Sequence, residues 1–94
     1  MVSIGRRRYT IEIKPSAVRT LRRLPAPVRA KVVSVIDAVA DDPRPPGCKK
    51  LAGQVDRYRV RAAGAYRVVY EIREDRLIVM VIRIGDRREV YRGL

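Results

Sequence analysis

Histidine is absent from this chain, and cysteine occurs once, at Cys48. Those two shortages remove a good deal of chemistry. Without imidazole the usual general base near neutral pH is missing, Ser–His and Cys–His nucleophiles cannot be assembled, and a transition-metal site loses its commonest ligand. A single thiol allows no intramolecular disulfide and, in a loop, reads as incidental. No G-x-x-x-x-G-K-[ST], G-x-G-x-x-G or G-x-S-x-G run occurs, which sets aside phosphate-loop, dinucleotide-binding and hydrolase-elbow templates. No apolar stretch is long enough to span a bilayer, and no apolar h-region follows the basic start of the chain. The expectation is a cytoplasmic protein with no metal, no cofactor and no membrane partner.

Acidic residues are also scarce, with ten Asp+Glu against 22 Lys+Arg, for a net charge of +12 over 94 residues. A chain of this length builds one domain with one modest core. Its charge favours a polyanion such as RNA or DNA, an anionic membrane surface, or an acidic protein. Self-repulsion of that size also works against the isolated compact state, so an acidic partner is expected.

Residues 1–7 lack periodicity and read as a flexible basic arm before a single domain over residues 8–94. Residues 8–14 read as a strand with Tyr9, Ile11 and Ile13 inward. Pro15 suits the first turn of a helix that carries Val18, Leu21 and Leu24 and stops at Leu24-Pro25-Ala26-Pro27. Val28, Val32, Val35, Ile36 and Val39 form the stripe of a second, amphipathic helix, ended by Asp41-Asp42-Pro43. Residues 77–84 are apolar on both sides except for Arg83, the mark of a central strand covered on both faces. One face would carry Ile78, Met80 and Ile82 beside Val69, covered by the tail after Gly85 or by a partner. The order β-α-α-β-β-β predicts an α+β fold with two N-terminal helices packed on a twisted, four-stranded antiparallel sheet.

The central hairpin is the most informative stretch. Tyr58, Val60 and Ala62 alternate with Arg57, Arg59 and Arg61, and Tyr66, Val68, Tyr70 and Ile72 alternate with Arg67, Val69, Glu71 and Arg73. A three-residue loop centred on Gly64 pairs Val60 with Val68 and Tyr58 with Tyr70, which keeps one face apolar. That register sets Arg61 against Arg67, with Arg59 roughly 7 Å along the same strand, and sets Arg57 against Glu71 as an ordinary ion pair. Like charges directly opposite one another destabilise a sheet. An anion would reward them.

Arginine binds phosphate bidentately and keeps its charge, so Arg59, Arg61 and Arg67 could hold a phosphodiester and stabilise a pentacoordinate transition state. With RNA the nucleophile can be the substrate's own 2′-OH, which needs a base but no metal. Tyr91 is the candidate, since neighbouring guanidiniums favour an ionised phenol. Taken alone, Tyr91 reads more readily as a packed amphipathic ring near the C-terminus than as a base, and Arg87-Arg88 as a solvated charge run, the commoner state for such dipeptides.

From residue 9 to residue 91 the sequence resembles the RelE/ParE family of bacterial toxin–antitoxin toxins, in its RelE-like branch. The likeness rests on Lys50-Leu51-Ala52-Gly53, Tyr58-Arg59-Val60-Arg61, Gly64-Ala65-Tyr66-Arg67-Val68-Val69-Tyr70 and Arg83-Ile84-Gly85-Asp86-Arg87-Arg88-Glu89-Val90-Tyr91. It implies a ribosome-dependent endoribonuclease that cuts mRNA in the 30S A site, leaves a 2′,3′-cyclic phosphate and a 5′-hydroxyl, and is silenced in a hetero-oligomer with a cognate acidic antitoxin. The family's catalytic positions fall on Arg59, Arg61, Arg67, Arg87 and Tyr91. Lys49, Lys50, Arg57 and Arg88 are expected to contact RNA phosphates around them. Two departures stand out: arginine replaces the usual lysines at 59 and 61, and Asp86 stands where relatives often carry histidine. Three residues follow Tyr91, too few for a C-terminal helix, which favours an antitoxin segment over the second sheet face. A ParE-like inhibitor of DNA gyrase, or a module that only binds nucleic acid or antitoxin, would use the same fold.

Overall fold

Prolines set the helix boundaries. In the computed structural model, which describes residues 8–92, strand β1 (Thr10–Ile13) leads into helix α1 (Pro15–Arg23), and helix α2 (Ala26–Asp41) follows directly. Pro15 and Pro27 lie in the first turns, where their missing N–H costs nothing. Arg22 and Arg23 occupy the last turn of α1, a favourable place for cations at the negative end of the helix dipole. The predicted stripe of α2 faces inward: Val32, Ile36 and Val39 are buried, with Val28 and Val35 packed beside them. The expected arm at 1–7 lies outside the described residues, as do residues 93–94 of the expected domain.

Strands β2 (Lys49–Lys50), β3 (Arg57–Ala63), β4 (Tyr66–Arg73) and β5 (Ile78–Asp86) join β1 in a five-stranded sheet ordered β1-β5-β4-β3-β2. The α+β class with helices on one face is as expected, but the sheet differs from a four-stranded antiparallel one in two ways. Lys49 and Lys50 pair with Arg59 and Tyr58 as a short extra strand. A strand of two residues is too short to show alternation. β1 runs parallel to β5, with Ile11 opposite Val79 and Ile13 opposite Val81, so the sheet is mixed. Side-chain alternation reports a strand's faces and not the direction of its neighbour.

The main core lies between the helices and one sheet face. Ala17 from α1, Leu24 just after it, and Val32, Ile36 and Val39 from α2 meet Val60, Val68, Tyr70, Ile72, Val79, Val81 and Ile84. The connection after α2 is tied to this core, since the Tyr70 hydroxyl donates to the Pro43 carbonyl at 2.6 Å. Burial pushes the Tyr70 phenol above its usual ionisation range. Arg44 donates through Nε to the Tyr58 hydroxyl at 3.1 Å and pairs with Glu74 at 2.6 Å. Glu74 also accepts from Tyr9 at 2.8 Å, so β1, the connection, β3 and the β4–β5 turn meet in one polar network.

The hairpin register is the predicted one: Arg57 opposite Glu71, Tyr58 opposite Tyr70, Val60 opposite Val68 and Arg61 opposite Arg67. Its tip reaches that register differently, because Ala63 pairs with Tyr66 around Gly64-Ala65 and the ladder shifts between Arg61 and Ala63. Gly64 takes φ +54°, a left-handed turn conformation that suits glycine. A second irregularity lies between β4 and β5. Tyr70 pairs with Val81 but Val69 pairs with Arg83, leaving Ile82 as a bulge. After it the alternation is inverted, so Ile84 joins the core and Arg83 turns to the other face.

Candidate phosphate-binding site

The sheet face away from the helices is organised in cross-strand rows. One row runs Arg61–Arg67–Gly85, and the next runs Lys49–Arg59–Val69–Arg83. Directly opposed residues project to the same face, and strands lie about 4.8 Å apart. Five basic side chains therefore rise from two adjacent rows. The following row, Arg57–Glu71–Met80, closes this field. Glu71 accepts from Arg57 at 3.2 Å and from Arg73 at 2.8 Å. Arg73, and then Arg57, hold its carboxyl below the usual carboxylate range.

The arginines thus divide. Arg8, Arg44, Arg57 and Arg73 are ion-paired with carboxylates. Among the described residues Arg59, Arg61, Arg67 and Arg87 are not. Arg67, in the middle of the sheet, is only 8% exposed and donates to the Ala65 carbonyl at 3.3 Å. Arg61 is exposed and Arg59 half-buried. Lys50 stands opposite Tyr58, on the register of the helix-side face, and is apart from the rows.

After β5 the chain makes a tight turn that returns over this face. Asp86 is its cap: one carboxylate oxygen accepts from the backbone N–H of Arg88 at 2.8 Å and of Glu89 at 2.9 Å. Those two N–H groups hold the Asp86 carboxyl below its usual range. Val90 donates its N–H to the Asp86 carbonyl, and it is fully buried. It packs over Gly85, where an added Cβ would lie 3.5 to 3.6 Å from Val90. Val69, Ile82 and Val90 are all buried yet stand apart from the main core. The tail therefore covers part of the second face, one of the two arrangements expected from sequence.

Arg87 and Arg88 are exposed on the turn. With Ala65 and Asp86 they line a shallow pocket of about 240 Å³, which puts the start of the turn against the hairpin tip that Arg67 also touches. Tyr91 is half-buried and follows Val90 directly. On the turn's other side a cleft of about 510 Å³ opens toward α1, lined by Ser16, Thr20, Arg23, Arg83, Asp86 and Glu89 among others.

Sequence reading missed two residues here. Asp86 faces the backbone of the turn as a cap, a signal available in the Asp-x-x-Glu spacing of residues 86–89. Arg83 was not among the candidate site residues, because unbroken alternation after Val79 and Val81 assigns it to the core side. The bulge that moves it left no mark in the residue pattern.

Fold and site together define a class: a small basic α+β domain with rows of arginine on the sheet face away from its helices, beside a capped C-terminal turn. Known proteins share the fold. The family described as ParE toxin of type II toxin-antitoxin system, parDE, matches residues 11–91. The mRNA interferase toxin RelE of Escherichia coli is 30% identical over 86 residues, 88% of this chain and 90% of the relative. Toxin RelG of Mycobacterium tuberculosis is 30% identical over 88 residues, 89% of this chain and 97% of the relative. A doubly substituted mutant of E. coli RelE in the free state superimposes with TM-score 0.77 at 29% identity, covering 89% of this chain and 90% of that one. The toxin of the intact E. coli RelBE toxin-antitoxin complex gives 0.75 at 28%, covering 83% and 95%. The chain belongs to the RelE/ParE family of type II toxin–antitoxin toxins, and its relatives mark it as RelE-like.

Proposed function

We propose that this toxin is a ribosome-dependent endoribonuclease that cuts mRNA in the A site, held in check by an acidic antitoxin. Arg59, Arg61 and Arg67 bind the scissile phosphate. Tyr91 takes the proton of the neighbouring 2′-OH, whose oxygen attacks phosphorus. The bond from phosphorus to the 5′-oxygen breaks, Arg87 stabilises charge on the departing oxygen, and that oxygen takes a proton from solvent water, leaving a 2′,3′-cyclic phosphate and a 5′-hydroxyl. Lys49 and Arg88 extend the RNA contact, and no protein-held metal takes part.

The observation that carries the reading is the arginine pair 61/67 on the sheet face away from the helices, unpaired with carboxylates among the described residues while Glu71 neutralises the next row. Relatives named mRNA interferase support the reaction class. Solved complexes of RelE-type toxins with RelB support an antitoxin partner, and the charge of +12 supports its acidity. No helix among the described residues is long and apolar enough to cross a membrane.

Toeprinting of translating ribosomes tests the mechanism: the wild type cuts within the A-site codon, and Tyr91→Phe and Arg67→Ala do not. Cutting unaffected by both substitutions would remove it. The family match carries the ParE description, which keeps a second reading in play, inhibition of DNA gyrase. Loss of supercoiling activity with intact mRNA would select that one.

A further inference from the structure

We infer that Arg83 is a positioning residue for the site proposed above: it clamps the far end of the C-terminal turn and so fixes where Tyr91 stands. The inference rests on that reading of the site for its catalytic consequence, and on the geometry of the turn for the clamp itself.

The bulge at Ile82 sets Arg83 opposite Val69, in the row that also holds Arg59 and Lys49. From there its guanidinium donates to the backbone carbonyl of Arg92. The turn has other anchors, but they lie earlier. Asp86 caps its start, and Val90 packs over Gly85. Past Val90 the turn's own backbone supplies one bond, from the Arg92 N–H to the Glu89 carbonyl at 3.0 Å. Among the described residues Arg83 is the one side chain of the sheet that bonds the turn beyond Val90. Tyr91 therefore lies between two fixed points, Val90 on Gly85 before it and the Arg92 carbonyl on Arg83 after it.

The residue type suits the task. A backbone carbonyl at the end of a tight turn is a hydrogen-bond acceptor, and a charged donor bonds it more strongly than a neutral one. Using one N–H on the carbonyl commits the guanidinium to the turn and turns it away from acting as a free phosphate ligand. The turn's other anchors lie at or before Val90, and a catalytic group displaced by about 1 Å can lose roughly 100-fold in rate.

The experiment compares Arg83→Met, which keeps length and removes the donors, with Arg83→Lys, which restores one charged donor. Two quantities are read: amide hydrogen exchange of residues 90–92 against the β3–β4 strands, and kcat and KM for cleavage on programmed ribosomes. Arg83→Met is expected to lower protection in the turn roughly tenfold, the scale of one lost hydrogen bond, while the strands are unchanged. It lowers kcat up to about 100-fold with KM little altered, and Arg83→Lys recovers most of both. Unchanged protection of residues 90–92 would overturn the clamp. Loosened protection with full kcat would overturn the positioning role, and a rise in KM alone would make Arg83 a plain phosphate contact. A wild-type chain that cuts no mRNA would sink the nuclease reading, and the exchange comparison would still decide the clamp.

Discussion

Arg61 and Arg67 stand directly opposite each other on neighbouring strands, and among the described residues neither is ion-paired with a carboxylate. Opposed like charges cost a sheet stability, and Arg67 bears that cost while only 8% exposed. Folding does not call for this pair; a bound polyanion would reward it.

Replacing Arg67 by Met should therefore stabilise the fold and disable the toxin. Urea unfolding is expected to show a gain of about 0.5 kcal/mol, the scale of one cross-strand charge pair, and RNA cleavage is expected to collapse. The wild type should also gain more stability than the variant on raising salt, because screening relieves the repulsion that the variant lacks.

Asp86 should give the C-terminal turn an acid limit. Its folded carboxyl is depressed by the N–H groups of Glu89 and Arg88, so its contribution is complete above the ordinary carboxyl range, about pH 4, and disappears as pH falls through the lower folded value. Hydrogen exchange at residues 88–90 should accelerate in that acid range while the strands stay protected. Asp86→Ala should produce the same loosening at neutral pH, and Asp86→Asn, which keeps an acceptor at the cap, much less.

The notch formed by Gly85 and Val90 makes opposite predictions for its two sides. Val90 is fully buried, and Val90→Ala removes two buried carbons, worth about 1.6 kcal/mol of packing, with loss of cleavage as the turn loosens. Gly85→Ala places its Cβ at ordinary van der Waals distance, 3.5 to 3.6 Å from Val90, and should keep both fold and activity. Thermal melts and a cleavage assay on the two variants check this.

Tyr70 should shape stability at alkaline pH. Burial raises its ionisation in the folded state, so its stabilising effect is complete below the ordinary tyrosine range, about pH 10, and is lost as pH rises beyond it. Tyr70→Phe leaves the Pro43 carbonyl without its 2.6 Å donor, a cost of about 1–3 kcal/mol near neutrality. The variant's urea midpoint should also fall less steeply above that pH than the wild type's.

Much of this architecture is legible in the residue pattern. Pro15 and Pro25 bound the first helix, the valine stripe from Val28 to Val39 orients the second, and alternation through residues 57–73 specifies the register that opposes Arg61 and Arg67. These are local signals, because each depends on a period of 3.6 or 2 or on a ring that forbids an N–H. Strand direction was not legible, and neither was the two-residue strand at Lys49–Lys50.

By itself, then, the sequence determined the helices, the hairpin, the sign of the surface charge and the opposition of two arginines, since all of these follow from spacing along a few consecutive residues. Tertiary structure alone decided that β1 runs parallel beside β5, that a bulge at Ile82 turns Arg83 onto the arginine face, and that Asp86 and Val90 fold the tail over Gly85. Each of those depends on how distant strands meet. A shift of one residue in a ladder inverts every side chain beyond it, and no periodicity in a single strand records where its neighbour will impose that shift.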